Sequence, residues 1–114
     1  MDNEIKKYLH DIQESVCSIE NYLDAHLDEH RSFFAYRENK MLRRAIEREF
    51  EIIGEAMNRM NKRMPDIPIS AKHQIIGLRN RVIHGYDKID DEIVWGIIIR
   101  HLPILKKEID KLLE

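Results

Sequence analysis

Apolar residues recur every three or four positions along most of the chain, which is the pattern of amphipathic helices. A first helix is predicted over roughly 2–25. Its apolar stripe consists of Ile5, Leu9, Ile12, Val16, Ile19 and Leu23. A second, long helix is predicted over roughly 37–62. Its apolar stripe consists of Leu42, Ile46, Phe50, Ile53, Met57, Met60 and Met64. We expect these methionines to fill the core. The segment between the two helices breaks the period and is interpreted as a connection with at most a short helical turn.

Prolines and capping residues divide the second half of the chain into two further helices. Pro65 and Pro68 end the second helix, and Ser70 is a plausible N-cap for a third helix over about 71–84. Gly85 can stop that helix in a left-handed conformation. Asp90 or Asp91 is the expected N-cap of a fourth helix that reaches about 113. Its apolar positions are Ile93, Val94, Ile97, Ile98, Leu102, Leu105, Ile109 and Leu112, and Pro103 should kink it.

This pattern predicts an all-α protein, a single domain over residues 1–114 folded as an up-down four-helix bundle with a kinked last helix. No stretch shows the strict alternation of a half-buried strand. Gly54 and Gly77 lie inside predicted helices, where each costs roughly 1 kcal/mol relative to Ala. We expect both glycines to mark a close approach between helices, within the subunit or across a dimer.

Composition narrows the class of protein without assigning a function. The 114 residues are 43% hydrophobic and 35% charged, as in a compact helical protein, and the formal net charge of −2 does not favour a generally basic nucleic-acid binder. No apolar run is long enough to span a bilayer, and the N-terminal segment does not resemble a secretion signal. The single cysteine, Cys17, lies beside the first apolar stripe, where we expect it to be buried. These features favour a cytoplasmic protein without a membrane partner.

The stretch HLDEH, from His26 to His30, matches the H-x-x-E-H pattern of inverted zinc peptidases. Two histidines four residues apart could share a metal if the stretch were helical. The match falls where the helical period breaks, and no third ligand is obvious. We therefore interpret it as a polar connection and predict no metal site.

The stretch RNRVIHGY, from Arg79 to Tyr86, carries the side chains best suited to chemistry. A histidine near neutral pH can take the proton from an RNA 2′-hydroxyl that attacks the neighbouring phosphorus, so His84 is a candidate base. Arg79 can stabilise charge on the phosphoryl oxygens, Asn80 can orient the imidazole or the phosphate, and Arg81 can add supporting charge. On an ideal helix Arg79 lies roughly 140° from His84, so a helix end or a second copy must bring them together.

The same residues also allow a structural interpretation. Arg and His near a helix C-terminus interact favourably with the helix dipole, whatever the function of the protein.

RNRVIHGY resembles the R-x-x-x-x-H-x-Y signature of the HEPN superfamily, in particular its HepT-like branch. The second helix, RRAIEREFEIIGEAMNRM, and the ending HLPILKKEIDKLLE are similar to that branch as well. The resemblance covers essentially the whole chain and implies an RNase with Arg79 and His84 as catalytic residues, generally in a homodimer. It further implies the toxin of a type VII-like toxin–antitoxin pair. The partner would be an MntA-like nucleotidyltransferase that neutralises the toxin by adding AMP to Tyr86.

The sequence is therefore compatible with two interpretations of the function. The first is a metal-independent ribonuclease toxin that needs no cofactor, acts on RNA and is silenced at Tyr86. The alternative is a non-catalytic nucleotide-binding or scaffolding module that serves a nucleotidyltransferase. A zinc site at His26 and His30 is the weakest possibility.

Overall fold

The computed structural model describes residues 2–84 and 90–114, with side chains for 2–80 and 90–114. These residues form six helices: α1 Asn3–His26, α2 Phe33–Glu38, α3 Lys40–Arg63, α4 Lys72–His84, α5 Asp91–Arg100 and α6 Leu102–Leu112. The described part of the chain contains no strand. The predicted all-α fold is confirmed, and the predicted turn between the first two long helices is the short helix α2.

Ion pairs and hydrogen bonds between helix ends show how the bundle runs. Arg63, the last residue of α3, lies 3.3 Å from Asp2 and 2.8 Å from Glu4 at the start of α1, so α1 and α3 are antiparallel. Lys106 of α6 pairs with Glu20 of α1 at 3.0 Å, and Gln13 donates to Asp110 at 3.0 Å. These contacts run in opposite order along α1 and α6, so that pair is antiparallel as well. The result is the up-down arrangement expected of a helical bundle.

Each long helix begins with a side-chain cap. Asp2 accepts a hydrogen bond from the Ile5 amide, and Asn39 accepts one from the Leu42 amide. Asp90, one of the two predicted candidates, caps α5 by accepting from the Glu92 amide. Ser70 does not cap α4 as predicted, because its hydroxyl donates to Glu108 of α6 and the helix begins at Lys72.

The last predicted helix is two helices rather than one kinked helix. The Leu102–Pro103 pair begins α6 directly after His101, whose amide still donates to Ile97 as the last bond of α5. Pro103 has no amide hydrogen, and a proline is tolerated in the first turn of a helix, where that donor would lack a partner in any case. The proline therefore starts a new helix here instead of bending a continuous one.

The core is built from the predicted stripes. All six apolar positions of the first stripe are buried, and so are the α3 positions from Leu42 to Met60. Three expectations were wrong. Met64 is 37% exposed because it follows the end of α3, and Ile93 is 41% exposed on α5. Cys17 is exposed, and Ser15 is the small residue that is buried next to the first stripe. None of the helices in the described ranges is long and apolar enough to cross a membrane.

Candidate active site

Gly54 of α3 sets the position of α4 at the candidate site. A Cβ on Gly54 would overlap the Arg79 Cβ, and it would lie 2.9 Å from the Arg79 Cγ and 3.1 Å from the Ile75 carbonyl oxygen. Only glycine lets the α4 backbone approach α3 this closely. The predicted close approach is therefore confirmed at Gly54. At Gly77 no such approach is found among the residues that the structure describes, because none of their heavy atoms would lie within 4 Å of a Cβ there.

Arg79 is held by two partners. Its Nη2 pairs with the Glu55 carboxylate on α3, and its Nη1 donates to the Asn80 side-chain oxygen at 2.8 Å. The Arg79 side chain is 19% exposed, and its Nε is buried without a hydrogen-bond partner among the described residues. The guanidinium is thus fixed in orientation, and the side chain as a whole is largely but not fully buried.

Glu55 was not singled out by sequence reasoning. Its carboxylate accepts from Arg59 at 2.9 Å as well as from Arg79, and these hydrogen bonds hold the pKa of the Glu55 carboxyl below its usual value. Glu55 therefore stays charged at neutral pH and keeps Arg79 in place. The sequence feature that could have pointed to Glu55 is Gly54, the residue before it. A charged residue beside a close contact between two helices can reach across to the other helix.

Asn80 is exposed and contacts Arg79 through its side-chain oxygen. The structure brings Arg79 and Asn80 together, so Asn80 orients the guanidinium. Its predicted contact with the imidazole is not tested, because the side chain of His84 lies outside the described residues.

The remaining predicted site residues can be placed only in part. Arg81 and His84 are in the last turns of the described part of α4, which reaches His84 as expected, but their side chains lie outside the described residues. Tyr86 and Gly85 lie outside the described residues entirely. By helical register, position 84 is on the side of α4 about 140° from Arg79. Arg79 faces α3, so α4 alone does not bring the two positions to one point.

His26 ends α1 and His30 lies beyond it, so the two histidines do not share a helix face. Among the side chains of residues 2–80 and 90–114 there is no group of three or more His, Cys, Asp or Glu arranged to hold a metal ion.

Comparison with known proteins assigns the chain to a family. The family profile described as "Ribonuclease HepT-like" matches residues 5–112. A Methanocaldococcus jannaschii protein named as a candidate RNase, MJ1380, is 34% identical over 112 residues, which is 94% of each chain. A Thermococcus cleftensis protein named "Probable ribonuclease HepT" is 30% identical over 111 residues, again 94% of each chain. No solved structure matches the chain significantly.

This chain belongs to the HepT-like ribonuclease family. The resemblance in the RNRVIHGY stretch and the flanking helices is therefore confirmed at the level of the family.

Proposed function

We propose that the protein is a metal-independent ribonuclease that uses Arg79 and His84, with Asn80 and Glu55 holding the guanidinium. The observation that carries this proposal is the fixed Arg79 guanidinium five residues before His84 on one helix. The names of its relatives support an RNA substrate.

Each group has a defined chemical task in the proposed reaction. His84 takes the proton from the ribose 2′-hydroxyl as its oxygen attacks the adjacent phosphorus, and the 5′-oxygen of the next nucleotide leaves. Arg79 donates hydrogen bonds to the phosphoryl oxygens, where negative charge grows in the transition state. Because Glu55 and Asn80 hold the guanidinium beforehand, little reorganisation is needed during the reaction. Arg81 adds positive charge near the phosphate.

The experiment that tests this activity compares two substrates in EDTA. One is an RNA oligonucleotide, and the other is the same oligonucleotide with 2′-deoxy substitution at the cleaved position. The proposal predicts cleavage of the first, with a 2′,3′-cyclic phosphate product, and no cleavage of the second. Cleavage of the deoxy substrate at a similar rate, or activity abolished by EDTA, would contradict the mechanism.

We propose that the working unit is a homodimer. Arg79 faces α3, whereas position 84 lies on another side of α4, so a second copy can supply the missing group at each site. Arg79→Ala and His84→Ala proteins, each inactive alone, are then expected to regain part of the activity when mixed and allowed to exchange subunits. A monomer in sedimentation, or no recovery after confirmed exchange, would contradict a composite site.

We propose that Tyr86 is the regulatory residue and that the protein is a toxin of a type VII-like pair. A nucleotidyltransferase of the MntA kind would transfer AMP from ATP to the phenol oxygen and release pyrophosphate. The added phosphate places negative charge two residues from His84, where it would repel the RNA backbone.

One observation favours the non-catalytic alternative. Arg79 is largely buried and its charge is balanced by Glu55, as a structural arginine would be. A scaffolding or nucleotide-binding module would keep this pair and bind the nucleotidyltransferase, but it would leave RNA intact in the assay above.

A further inference from the structure

A groove between α4 and α5 is not used by the proposed mechanism. It encloses a cavity of about 330 Å³, with Leu78, Ile93 and Ile97 as apolar lining and His73, Arg100 and His101 as polar lining. We propose that this groove binds the RNA strand that flanks the cleaved phosphodiester. The inference rests on the proposed ribonuclease function and names the part of the surface that holds its substrate.

Two glycines keep the groove open. No described atom would lie within 4 Å of a Cβ on Gly77 of α4, so packing against the described side chains does not explain a glycine in this helix. Gly96 on α5 lies under the Arg100 side chain, and a Cβ there would meet the guanidinium at 2.5 Å. Arg100 therefore lies flat along α5, with its charged end at the groove. A helix tolerates an unfavourable glycine where something must come close to its backbone, and none of the side chains that the structure describes fills that space at Gly77.

The charge of the groove fits a polyanion. Among the described residues that line it, three are Arg or His and none is acidic. Two other cavities carry carboxylates beside their bases. The one between α1 and α3 is lined by Asp11, Glu51 and Glu55 with Lys7, Arg48 and Arg59, and the one between α1 and α6 by Glu20 and Asp110 with Lys106. Arginine and histidine donate hydrogen bonds to phosphate oxygens, and the apolar floor suits a ribose or base.

The same charges disfavour a second copy of the chain as the occupant. A two-fold interface formed by this groove would place the groove against itself. Arg100 would then lie against a second copy of the groove that offers no carboxylate among its described lining residues.

The groove lies on the same side of α4 as position 84, where the proposed base is. Position 84 is eleven residues after His73, so at 100° per residue the two positions are within about 20° of each other around the helix. They are about 16 Å apart along its axis, a span of a few nucleotides. A strand lying in the groove past Gly77 would therefore reach the reacting position at its other end.

The test measures RNA binding separately from cleavage. In a His84→Ala background, the affinity for a fluorescein-labelled RNA oligonucleotide is measured by anisotropy for Gly77→Leu and Arg100→Gln. Gly77→Leu fills the groove, and Arg100→Gln removes the permanent positive charge of the groove. The control is Lys107→Gln, which removes an exposed charge of α6 away from the groove. We expect about a tenfold weaker Kd for Gly77→Leu and Arg100→Gln, with a shallower salt dependence for Arg100→Gln. Lys107→Gln should change the Kd less than twofold.

The outcomes distinguish this proposal from the ribonuclease function. If the active protein cleaves RNA while both groove variants keep the wild-type Kd and KM, the groove is not the binding surface and the ribonuclease proposal stands. If RNA is bound through the groove but not cleaved, the binding surface stands and the ribonuclease proposal fails. Conversion of a dimer to a monomer by either variant would show a second copy in the groove and would overturn the proposal.

Discussion

Gly54 and Arg79 are packed so closely that a side chain at position 54 would overlap the Cβ from which the Arg79 side chain extends. Gly54→Ala should therefore destabilise the protein although alanine is the better helix former. Overpacking costs about 1–3 kcal/mol, and the added Cβ would meet the Arg79 Cβ and the backbone of Ile75 rather than a flexible side-chain end. Chemical denaturation measures the free energy of unfolding, and cleavage of RNA should fall with it as Arg79 is displaced.

Gly77→Ala is the matched control for that measurement. A Cβ at position 77 would meet none of the described heavy atoms within 4 Å, so the substitution should stabilise the protein by up to about 1 kcal/mol. Equal effects of the two substitutions on stability would contradict the close contact at Gly54.

Glu55→Gln should lower kcat while leaving KM nearly unchanged. The substitution keeps the shape of the side chain but removes the charge that fixes Arg79, so the guanidinium is less well positioned for the transition state. We expect a loss of about tenfold to 100-fold in kcat. The control is Glu51→Gln, one turn earlier on α3, because Glu51 pairs with Arg48 and not with Arg79. A higher kcat in Glu55→Gln would mean that Glu55 masks Arg79 instead of positioning it.

Glu47→Gln should remove part of the pH dependence of stability. Burial raises the pKa of the Glu47 carboxyl, the nearby Asp91 adds to this, and Arg43 and Arg44 oppose it. A raised carboxyl pKa means that the folded protein binds the proton more tightly than the unfolded chain. Stability is therefore lost as the pH rises from the ordinary carboxyl pKa through the raised one.

Thermal unfolding of Glu47→Gln at several pH values between 4 and 7 measures this contribution. The variant should gain in Tm relative to wild type as the pH rises, whereas Glu38→Gln, at an exposed carboxylate of α2, should follow the wild type. A gain that is largest at the acidic end would contradict the assignment.

Tyr86→Phe should keep the ribonuclease activity and escape silencing by the nucleotidyltransferase. The phenol oxygen is the proposed acceptor of AMP, and the proposed reaction does not use it. Mass spectrometry after incubation with the partner and ATP should show added AMP on the wild type and none on the variant. The tyrosine assignment fails if Tyr86→Phe is still modified and silenced.

Much of the fold could be predicted because the long helices α1 and α3 have a clear apolar period and the connections contain proline or capping residues. The break between α5 and α6 was harder to predict, since Pro103 is compatible with either a kink in one helix or the first turn of a new one. Only the packing of the two halves decides between a kinked helix and two helices. Arg79 and Asn80 were singled out as candidates from the sequence because their side chains suit phosphate chemistry, and the structure places the two side chains in contact. Glu55 was missed because its role depends on a contact between α3 and α4, and a single sequence does not show which charged residue faces another helix.

The most direct test of the account is RNA cleavage in EDTA by the wild type, His84→Ala and His26→Ala. His26 is exposed at the end of α1 and belongs to the zinc-like stretch, so it controls for loss of a histidine away from the proposed site. We expect His84→Ala to lose about 10²- to 10⁴-fold in rate, the usual contribution of a general base, while His26→Ala keeps the wild-type rate. Cleavage by a folded His84→Ala protein at the wild-type rate would contradict the proposed mechanism.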